Sequence, residues 1–334
     1  MSENWPKMVA QGWHPVAELR QLGSKPYATR LMGVPLVLFM ADGAPALLVD
    51  RCPHRSVPLS GGKVCDGVIA CPYHGWRFRA DGECIEIPGA VEPIAAHAKA
   101  LPIILRLGLV WTSLADNPPP FPLLPSEPED KALDHFTWNV AASKMRLLDA
   151  IENMLDASHP HFVHPWFLRT AAKRRPVEVD IHIHPGGAEA VYHEDAQAAG
   201  FMPRLLEGKR TVAIGRYFAP TIGQLIFRTE RGLTVSLTAI FTPEDVNLTR
   251  PFAWFSTERR LAPAWLKKLV LKEFNRPLLK QDQRVLADQV RVVDAMGGDV
   301  QFKVGPLDML GPAIWKIANG AEVAEVRERR TVYL

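Results

Sequence analysis

The sequence predicts an α+β protein in which an all-β amino-terminal domain precedes a domain of helices packed on an antiparallel sheet. Three observations support this prediction. Short Val-, Ile- and Leu-rich segments fill the first third, one proline-rich stretch follows, and helical and strand patterns are mixed after it. We therefore predict domains over residues 1–113 and 131–334, joined by a linker over residues 114–130.

The first domain is predicted from strand-like segments with turn residues between them. Examples are TRLMGVPLVLFM, APALLVDRC and IILRLGLVWTSL, which are separated by Gly and Pro. The stretch that follows, LADNPPPFPLLPSEPED, contains six prolines and few helix formers. Such a composition is typical of a stiff linker.

The second domain is predicted to combine a large sheet with several helices. MRLLDAIENMLDASH has a helical pattern, whereas VEVDIHIH, RTVAIGRYF, GQLIFRTE and LTVSLTAIF are typical of strands. Near the end, PAWLKKLVLKEFNRPLLKQDQRVLADQVRVV predicts one or two long helices.

Composition excludes several classes of protein. The net charge of +3 is too small to indicate a nucleic-acid partner. No run reaches the roughly 18 apolar residues that a membrane span needs, and the start, MSENWPKM, lacks the apolar core of a signal peptide. We therefore expect a cytoplasmic protein without a membrane partner. Four cysteines among 334 residues indicate metal binding rather than a disulfide framework.

Two Cys-and-His pairs stand within residues 52–76: Cys52-Pro-His54 and Cys71-Pro-Tyr-His74. Four such ligands suit one tetrahedral Zn²⁺, or a [2Fe–2S] cluster with two Cys on one iron and two His on the other. A Pro after each Cys favours rigid loop tips, and hence the cluster. Cys65 fits neither pair, and we expect it, like Cys84, to be a buried small apolar residue.

These two motifs resemble the Rieske domain of the Rieske non-heme iron oxygenases. The resemblance implies that Cys52, His54, Cys71 and His74 hold a [2Fe–2S] Rieske cluster. Neither loop carries the additional Cys of the respiratory-chain Rieske proteins, which favours the oxygenase or ferredoxin branch. Ser56 stands where many of these oxygenases have Gly.

A second group of ligand-type residues lies in ENMLDASHPHFVH, residues 152–164. Helical spacing would place Glu152, Asp156 and His159 on one face. His164 follows His159 by an offset that would point the two rings apart in an unbroken helix. Pro160 supplies a break, because the residue before a proline avoids the helical region, and the chain can then bring both imidazoles to one metal.

This segment is similar to the E/D-N-x-x-D-x-x-H-x4-H motif of the same oxygenases. The resemblance implies that His159 and His164 ligate a mononuclear Fe(II). It also implies that Asp156 bridges the two metal centres and that Asn153 lies beside the site. Asp156 and Asn153 are therefore the candidate catalytic residues.

The third iron ligand is expected on the late helix around LLKQDQRVLADQV, where family members carry an Asp. If that helix begins at Pro277, Asp282 falls within its apolar stripe. The stripe comprises Leu278, Leu279, Val285, Leu286 and Val290. A buried carboxylate needs a metal or a cation, so Asp282 is either the third ligand or the partner of an arginine such as Arg276 or Arg284.

The resemblance implies the terminal oxygenase component of a Rieske monooxygenase system. Chain length and the late Gln-Asp pair are similar to those of the vanillate and dicamba O-demethylases. We therefore expect O₂-dependent hydroxylation or oxidative demethylation of a small aromatic substrate, rather than ring dioxygenation. Trp138, Phe218, Phe241 and Trp254 are candidates for a pocket wall, although ordinary core positions are the simpler interpretation.

The sequence contains no G-x-G-x-x-G after a strand, so electrons should come from a separate NAD(P)H-dependent reductase, with or without a ferredoxin. The resemblance also implies a head-to-tail homotrimer, in which Asp156 contacts a cluster histidine, His74, across a subunit boundary. A different class stays open: a Rieske-type electron-transfer protein whose second domain is not catalytic.

Overall fold

A computed structural model describes residues 5–91, 95–165, 174–196, 210–230, 232–259 and 262–334. The chain divides into two compact units. The amino-terminal unit comprises Ala10–Phe121 and the short segment Glu244–Val246. The carboxy-terminal unit comprises Pro122–Pro243 and Asn247–Leu334, together with the residues up to Val9. The predicted boundaries at residues 113 and 131 stay predictions.

The amino-terminal unit is built from short antiparallel strands. They are β1 His14–Glu18, β2 Tyr27–Leu31, β3 Val34–Ala41, β4 Ala44–Val49, β5 Lys63–Cys65, β6 Val68–Ala70, β7 Arg77–Phe78, β8 Cys84–Glu86, β9 Ile104–Arg106 and β10 Leu109–Thr112. In the described residues they form three sheets, with strand orders β1-β10-β9, β2-β3-β4 and β5-β6-β7-β8. A short helix, α1 Lys7–Gln11, precedes β1.

Tight hairpin turns explain why consecutive strands pair in this unit. Asp42 and Gly43 join β3 to β4, with φ of 50° and 81°, and Asp66 and Gly67 join β5 to β6, with φ of 51° and 72°. Two consecutive positive φ angles define the turn whose twist matches that of paired strands, and Asp-Gly is a favoured sequence for it. The β5–β6 hairpin connects the two loops that carry the Cys-and-His pairs.

The carboxy-terminal unit contains one large antiparallel sheet. Its strands are β11 Leu133–Asn139, β12 Ser143–Lys144, β13 Pro176–His184, β14 Gly187–Ala196, β15 Arg210–Phe218, β16 Ile222–Thr229, β17 Gly232–Asp245, β18 Leu248–Glu258 and β19 Val326–Tyr333. The order is β11-β18-β17-β16-β15-β14-β13-β19, and β12 pairs with β18.

Helices pack on this sheet. They are α2 Leu147–Leu155, α3 Pro160–Val163, α4 Ala264–Ala295 and α5 Gly311–Ala318. Helix α2 contacts β15 and β16, and α4 contacts β11 and β12, so both lie against the sheet. None of the described helices combines the length and the apolar character that a bilayer span needs.

The predicted α+β class is confirmed, but the late helix differs from its prediction. Pro277 lies inside the continuous helix α4 and does not begin it. A proline removes one main-chain hydrogen bond and bends a helix, yet packing on both sides can hold the helix together. Leu278, Leu286 and Val290 are buried as the stripe predicts, whereas Val285 is 46% exposed.

Candidate metal centres and an apolar cavity

The two Cys-and-His loops of the amino-terminal unit share one main-chain pattern. In the first loop, the amide of Cys52 donates to the carbonyl of Val57 and the amide of Ser56 donates to the carbonyl of Cys52. In the second, the amide of Cys71 donates to Trp76 and the amide of Gly75 donates to Cys71. Each loop therefore folds back on its own Cys, and both present their side chains in the same way.

The turn in each loop requires a positive φ at the fourth residue after the Cys. Gly75 adopts φ of 72° and Ser56 adopts φ of 59°. Glycine reaches this region without strain, whereas a side chain makes it costly. The Oγ atom of Ser56 accepts a hydrogen bond from Arg51 Nε at 2.9 Å, which helps to hold the first turn. The departure from Gly at position 56 is thus accommodated by the backbone.

The four ligand-type side chains of these loops lie together. Cys52 and Cys71 are buried, while the exposed rings of His54 and His74 have centroids 4.7 Å apart. Trp76 stacks on His54 with 4.6 Å between centroids. Burial, together with the neighbouring Cys71 sulfur, raises the pKa of the Cys52 thiol. A metal is what holds such buried thiols as thiolates, so the donor set fits a cluster with sulfur ligands inside and imidazoles outside.

The other two cysteines differ from each other. Cys84 is buried, as expected, and its Sγ contacts the carbonyl of Glu86 at 3.7 Å. Cys65 is exposed, so the expectation that it is a buried apolar residue was wrong. It ends the short strand β5 immediately before the Asp66-Gly67 turn, where a side chain points into solvent.

The second group of ligand-type residues lies where α2 ends and α3 begins. Helix α2 ends at Leu155, so Asp156 lies just beyond it and not on the helix face that spacing predicted. The Asp156 carboxylate accepts hydrogen bonds from the amides of Ser158 (2.7 Å) and His159 (3.0 Å). Pro160 then starts α3. The break is not where it was predicted: His159, before the proline, is helical, with φ of −58° and ψ of −32°, whereas Asp156 is extended, with ψ of 124°. This turn directs His159 and His164 toward helix α4.

Three ligand atoms converge between these elements. Asp282 Oδ1, on α4, lies 3.1 Å from His164 Nε2 and 3.5 Å from His159 Nε2. Within the part of the chain that the structure describes, these three residues form the one such group, with ligand atoms no more than 4.8 Å apart. Two imidazoles and one carboxylate are the donor set typical of non-heme Fe(II).

The surroundings of Asp282 fit a bound metal ion rather than an ion pair with an arginine. Asp282 Oδ1 is buried and has no hydrogen-bond partner, although buried oxygens rarely lack one. The structure brings imidazole nitrogens to this atom, not the guanidinium of Arg276, which pairs with Glu273. His164 Nδ1 donates to Gln281 Oε1 at 2.8 Å, which leaves Nε2 free to bind a metal. Nothing in the sequence pattern singled out this role of Gln281.

Asp156 and Asn153 both lie beside this group. Asp156 Oδ2 is 3.5 Å from His159 Nδ1. Burial alone would raise the pKa of Asp156, but the contacts with His159 and Ser158 outweigh it and hold that pKa below its ordinary value. Asn153 lines the adjoining cavity. Glu152 instead contacts α5, where it accepts from Trp315 Nε1 at 3.0 Å, and burial raises its pKa.

An apolar cavity of about 800 Å³ opens onto the three converging residues. Helices α2, α3 and α4 and strands β11 and β14 to β18 supply most of its described walls. Trp138 and Phe241 are part of the lining, whereas Phe218 and Trp254 are not among the described lining residues. Side chains alternate along a strand, so neighbours of lining residues, such as Trp254 between Ala253 and Phe255, point to the opposite face.

Two family models match the chain. The Rieske [2Fe-2S] domain model matches residues 12–103, which contain both Cys-and-His loops. The vanillate O-demethylase oxygenase C-terminal domain model matches residues 146–305, which contain His159, His164 and Asp282. The chain therefore combines a Rieske [2Fe-2S] domain with an oxygenase C-terminal domain of the vanillate O-demethylase type. The first match is to a [2Fe-2S] domain, which favours a cluster over zinc at the first centre.

Curated relatives of this chain align over part of their length. Chlorophyllide a oxygenase of Arabidopsis thaliana is 35% identical over 46% of this chain and 28% of its own. The oxygenase component of dicamba O-demethylase of Stenotrophomonas maltophilia is 29% identical over 55% of each chain. The chain thus spans about half, or less, of the curated relatives' length.

A solved structure is similar to this chain over nearly the whole fold. The crystal structure of dicamba monooxygenase bound to dicamba superposes with a TM-score of 0.79 over 93% of this chain and 97% of its own, at 22% identity. At this identity the likeness shows the fold, with both domains present.

Proposed function

We propose that this chain is the terminal oxygenase component of a Rieske monooxygenase system. It uses O₂ and delivered electrons to hydroxylate or oxidatively demethylate an organic substrate. The convergence of His159, His164 and Asp282 at the base of an apolar cavity carries the proposal. The matched Rieske domain supports it, because an electron relay in the same chain serves a redox reaction.

Each set of ligands has a distinct task. Cys52, Cys71, His54 and His74 would hold the cluster, and His159, His164 and Asp282 would hold the iron. When bound, these groups supply one-electron transfer and O₂ activation. The chain itself orients the imidazole of His164 through Gln281, keeps Asp156 ionised beside His159, and excludes water with apolar walls. Asn153 and Asp156 are the residues proposed to act beside the metal.

The relatives favour demethylation as the chemistry. Their names include dicamba O-demethylase and methylxanthine N3-demethylase, whose reactions remove methyl groups from oxygen or nitrogen. We infer an aromatic substrate. It bears a methyl ether or N-methyl group that the enzyme removes, or it has a ring system that the enzyme hydroxylates. The aromatic lining at Trp138, Phe241 and Phe255 supports this choice, since rings pack well on rings.

The oxygenase needs a source of electrons outside this chain. We propose a separate NAD(P)H-dependent reductase, acting directly or through a ferredoxin, because relatives are named as oxygenase components or iron-sulfur subunits of larger systems. We also propose a homotrimer in which Asp156 of one subunit couples to His74 of the next.

A Rieske-type electron carrier with a non-catalytic second domain is the competing function. It gives no reason for a buried, unpartnered carboxylate oxygen beside two imidazoles, nor for a cavity at that point. The site in the carboxy-terminal unit therefore favours the oxygenase.

Asp282→Ala tests the proposal. The wild type should hold about three irons per chain and consume O₂ when NADH, a reductase and a substrate are supplied, with formaldehyde released from methyl ethers. The variant should lose one iron and all turnover, while the visible spectrum of the cluster stays. Turnover by the variant at the wild-type rate would contradict the assignment of Asp282, and a wild type with two irons and no turnover would favour the electron carrier.

A further inference from the structure

The cavity above the three converging residues is long. Helix α4 lines it with a stripe that runs from Asp282 back through Leu278, Phe274 and Leu271 to Lys267. These positions are three or four residues apart, so they share one face of the helix. At the rise of an α-helix, Asp282 and Lys267 are about 22 Å apart along the axis.

Strand β18 gives a second measure of the same length. Gln283 of α4 donates to Ser143, which pairs with Thr249 near the beginning of β18. Lys267 Nζ donates to the carbonyl of Glu258, the last residue of β18. The strand thus runs beside the helix from the Asp282 end of the cavity to the Lys267 end, and about 26 Å of strand separates Thr249 from Thr257. A single aromatic ring would occupy a fraction of this length.

The walls between the two ends are largely apolar. Pro251, Ala253 and Phe255 line the cavity from alternate positions of β18, as expected for one face of a strand. Phe241 of β17 and Phe227 of β16 line it from the next two strands of the sheet. Apolar walls over this length suit an elongated molecule of two or more rings.

The distant end carries polar groups. Lys267 lies there, but its ammonium group already donates to Asp134 and to the carbonyl of Glu258. Thr257 is the next lining residue of β18, and it pairs with Asp134 of β11. Thr257 is 5% exposed, and its Oγ1 is a buried hydroxyl without a hydrogen-bond partner among the described residues.

We propose that the Thr257 hydroxyl binds a polar group at the far end of an elongated, multi-ring substrate, whose reacting end lies at His159, His164 and Asp282. This inference rests on the proposed oxygenase function and specifies its substrate class. A hydroxyl can donate to a carbonyl or accept from a substrate hydroxyl, so it selects for either group. A buried hydroxyl left without a partner is unfavourable, and such a substrate would satisfy it.

Three small molecules distinguish the effect of substrate length from the effect of a polar group at the far end. The first is a biphenyl with a methoxy group at one para position and an acetyl group at the other. The second is the same biphenyl with ethyl in place of acetyl, which removes the far carbonyl. The third is para-methoxyacetophenone, which has both groups on one ring and is too short to reach both ends. Their dissociation constants are measured by calorimetry on the metal-loaded protein without reductase.

The variants are Thr257→Val and Thr257→Ser. Valine keeps the shape of threonine and removes the hydroxyl, whereas serine keeps the hydroxyl. Thr257→Val should weaken binding of the acetyl biphenyl by about three- to tenfold, as expected for one neutral hydrogen bond. The ethyl biphenyl and the one-ring ketone should bind the variant as they bind the wild type. Thr257→Ser should bind the acetyl biphenyl within about twofold of the wild type, since the hydrogen bond is kept.

Two results would overturn the inference: equal affinity of wild type and Thr257→Val for the acetyl biphenyl, or wild-type binding of that biphenyl no tighter than that of the one-ring ketone. Because binding is measured without turnover, the outcome is separate from that of the proposed function. Release of formaldehyde by the wild type from methoxybenzene, with binding of the biphenyl independent of Thr257, would retain the oxygenase and reject the elongated substrate. Binding of the biphenyl that depends on Thr257, without any turnover, would retain the elongated ligand and reject the oxygenase.

Discussion

The two candidate centres are built in different ways. In the amino-terminal unit, two loops with the same main-chain hydrogen bonds each supply one Cys and one His, and a single hairpin joins them. In the carboxy-terminal unit, the turn at His159 and His164 meets a helix whose Gln281 is 117 residues from His164. The first centre is therefore set by local backbone geometry, while the second depends on how α4 packs.

This difference implies that each centre should tolerate the loss of the other. The ligands of the first centre lie within one unit and those of the second lie within the other. A change to one set of ligands should therefore remove one metal group and leave the other in place.

Replacing a cluster ligand should have the largest effect. Cys71→Ser should abolish the visible absorption of the cluster and all turnover, since serine is a poor ligand for a cluster built on thiolates. About one iron per chain should remain, held by the second centre. Iron and acid-labile sulfide assays with visible spectroscopy measure both effects. Cys65→Ser is the control and should keep the cluster, because Cys65 is exposed and lies in neither loop. Loss of all iron from Cys71→Ser would show that the centres are not independent.

Removing the orienting contact of the second centre should have an intermediate effect. Gln281→Leu deletes the acceptor of His164 Nδ1, and the loss of such a contact weakens metal binding by about 10- to 100-fold. Titration of the iron-free second site with Co²⁺ measures the change, and the cluster spectrum should not alter.

Gln283→Leu is the matched control for this change. Gln283 lies on the same helix and donates to Ser143 at 2.8 Å rather than to a ligand. Its substitution should leave Co²⁺ affinity near that of the wild type, while Gln281→Glu, which keeps an acceptor, should bind Co²⁺ better than Gln281→Leu. Equal Co²⁺ affinity of Gln281→Leu and wild type would mean that packing alone orients His164.

The smallest effects are expected on stability, from substitutions at the positive-φ residues of the two Cys-and-His loops. Gly75→Ala should lower the stability, whereas Ser56→Gly should raise it. Gly75→Ala places a Cβ at φ of 72° and 3.0 Å from Pro88 Cγ, which should destabilise the unit by about 1–2 kcal/mol. Ser56→Gly relieves the positive φ of 59° but loses an exposed hydrogen bond from Arg51, for a net gain below about 1 kcal/mol.

The midpoint of denaturant-induced cluster loss measures both substitutions. A lower midpoint for Gly75→Ala with a slightly higher midpoint for Ser56→Gly is the expected pair of results. Destabilisation by Ser56→Gly as large as that by Gly75→Ala would show that the Arg51 contact outweighs the backbone strain.

Much of the fold was predictable because it depends on local patterns. Alternating apolar residues marked β13, β15, β16 and β17. A break between α2 and α3 was predicted at Pro160, but His159 is helical and the chain leaves the helix at Asp156. The end of α2 was harder to predict. Asp156 is helix-compatible in spacing, but its carboxylate binds the Ser158 and His159 amides and ends the helix instead.

By itself, the sequence determined the two Cys-and-His loops and the candidate ligands His159, His164 and Asp282, because residue types and short-range spacing are properties of the chain alone. Tertiary structure decided the rest. It set the continuous course of α4 through Pro277, the contact of Gln281 with His164, and the long cavity that ends at Thr257. These features join residues far apart in sequence, and only the packing of a helix against a sheet determines which of their side chains meet.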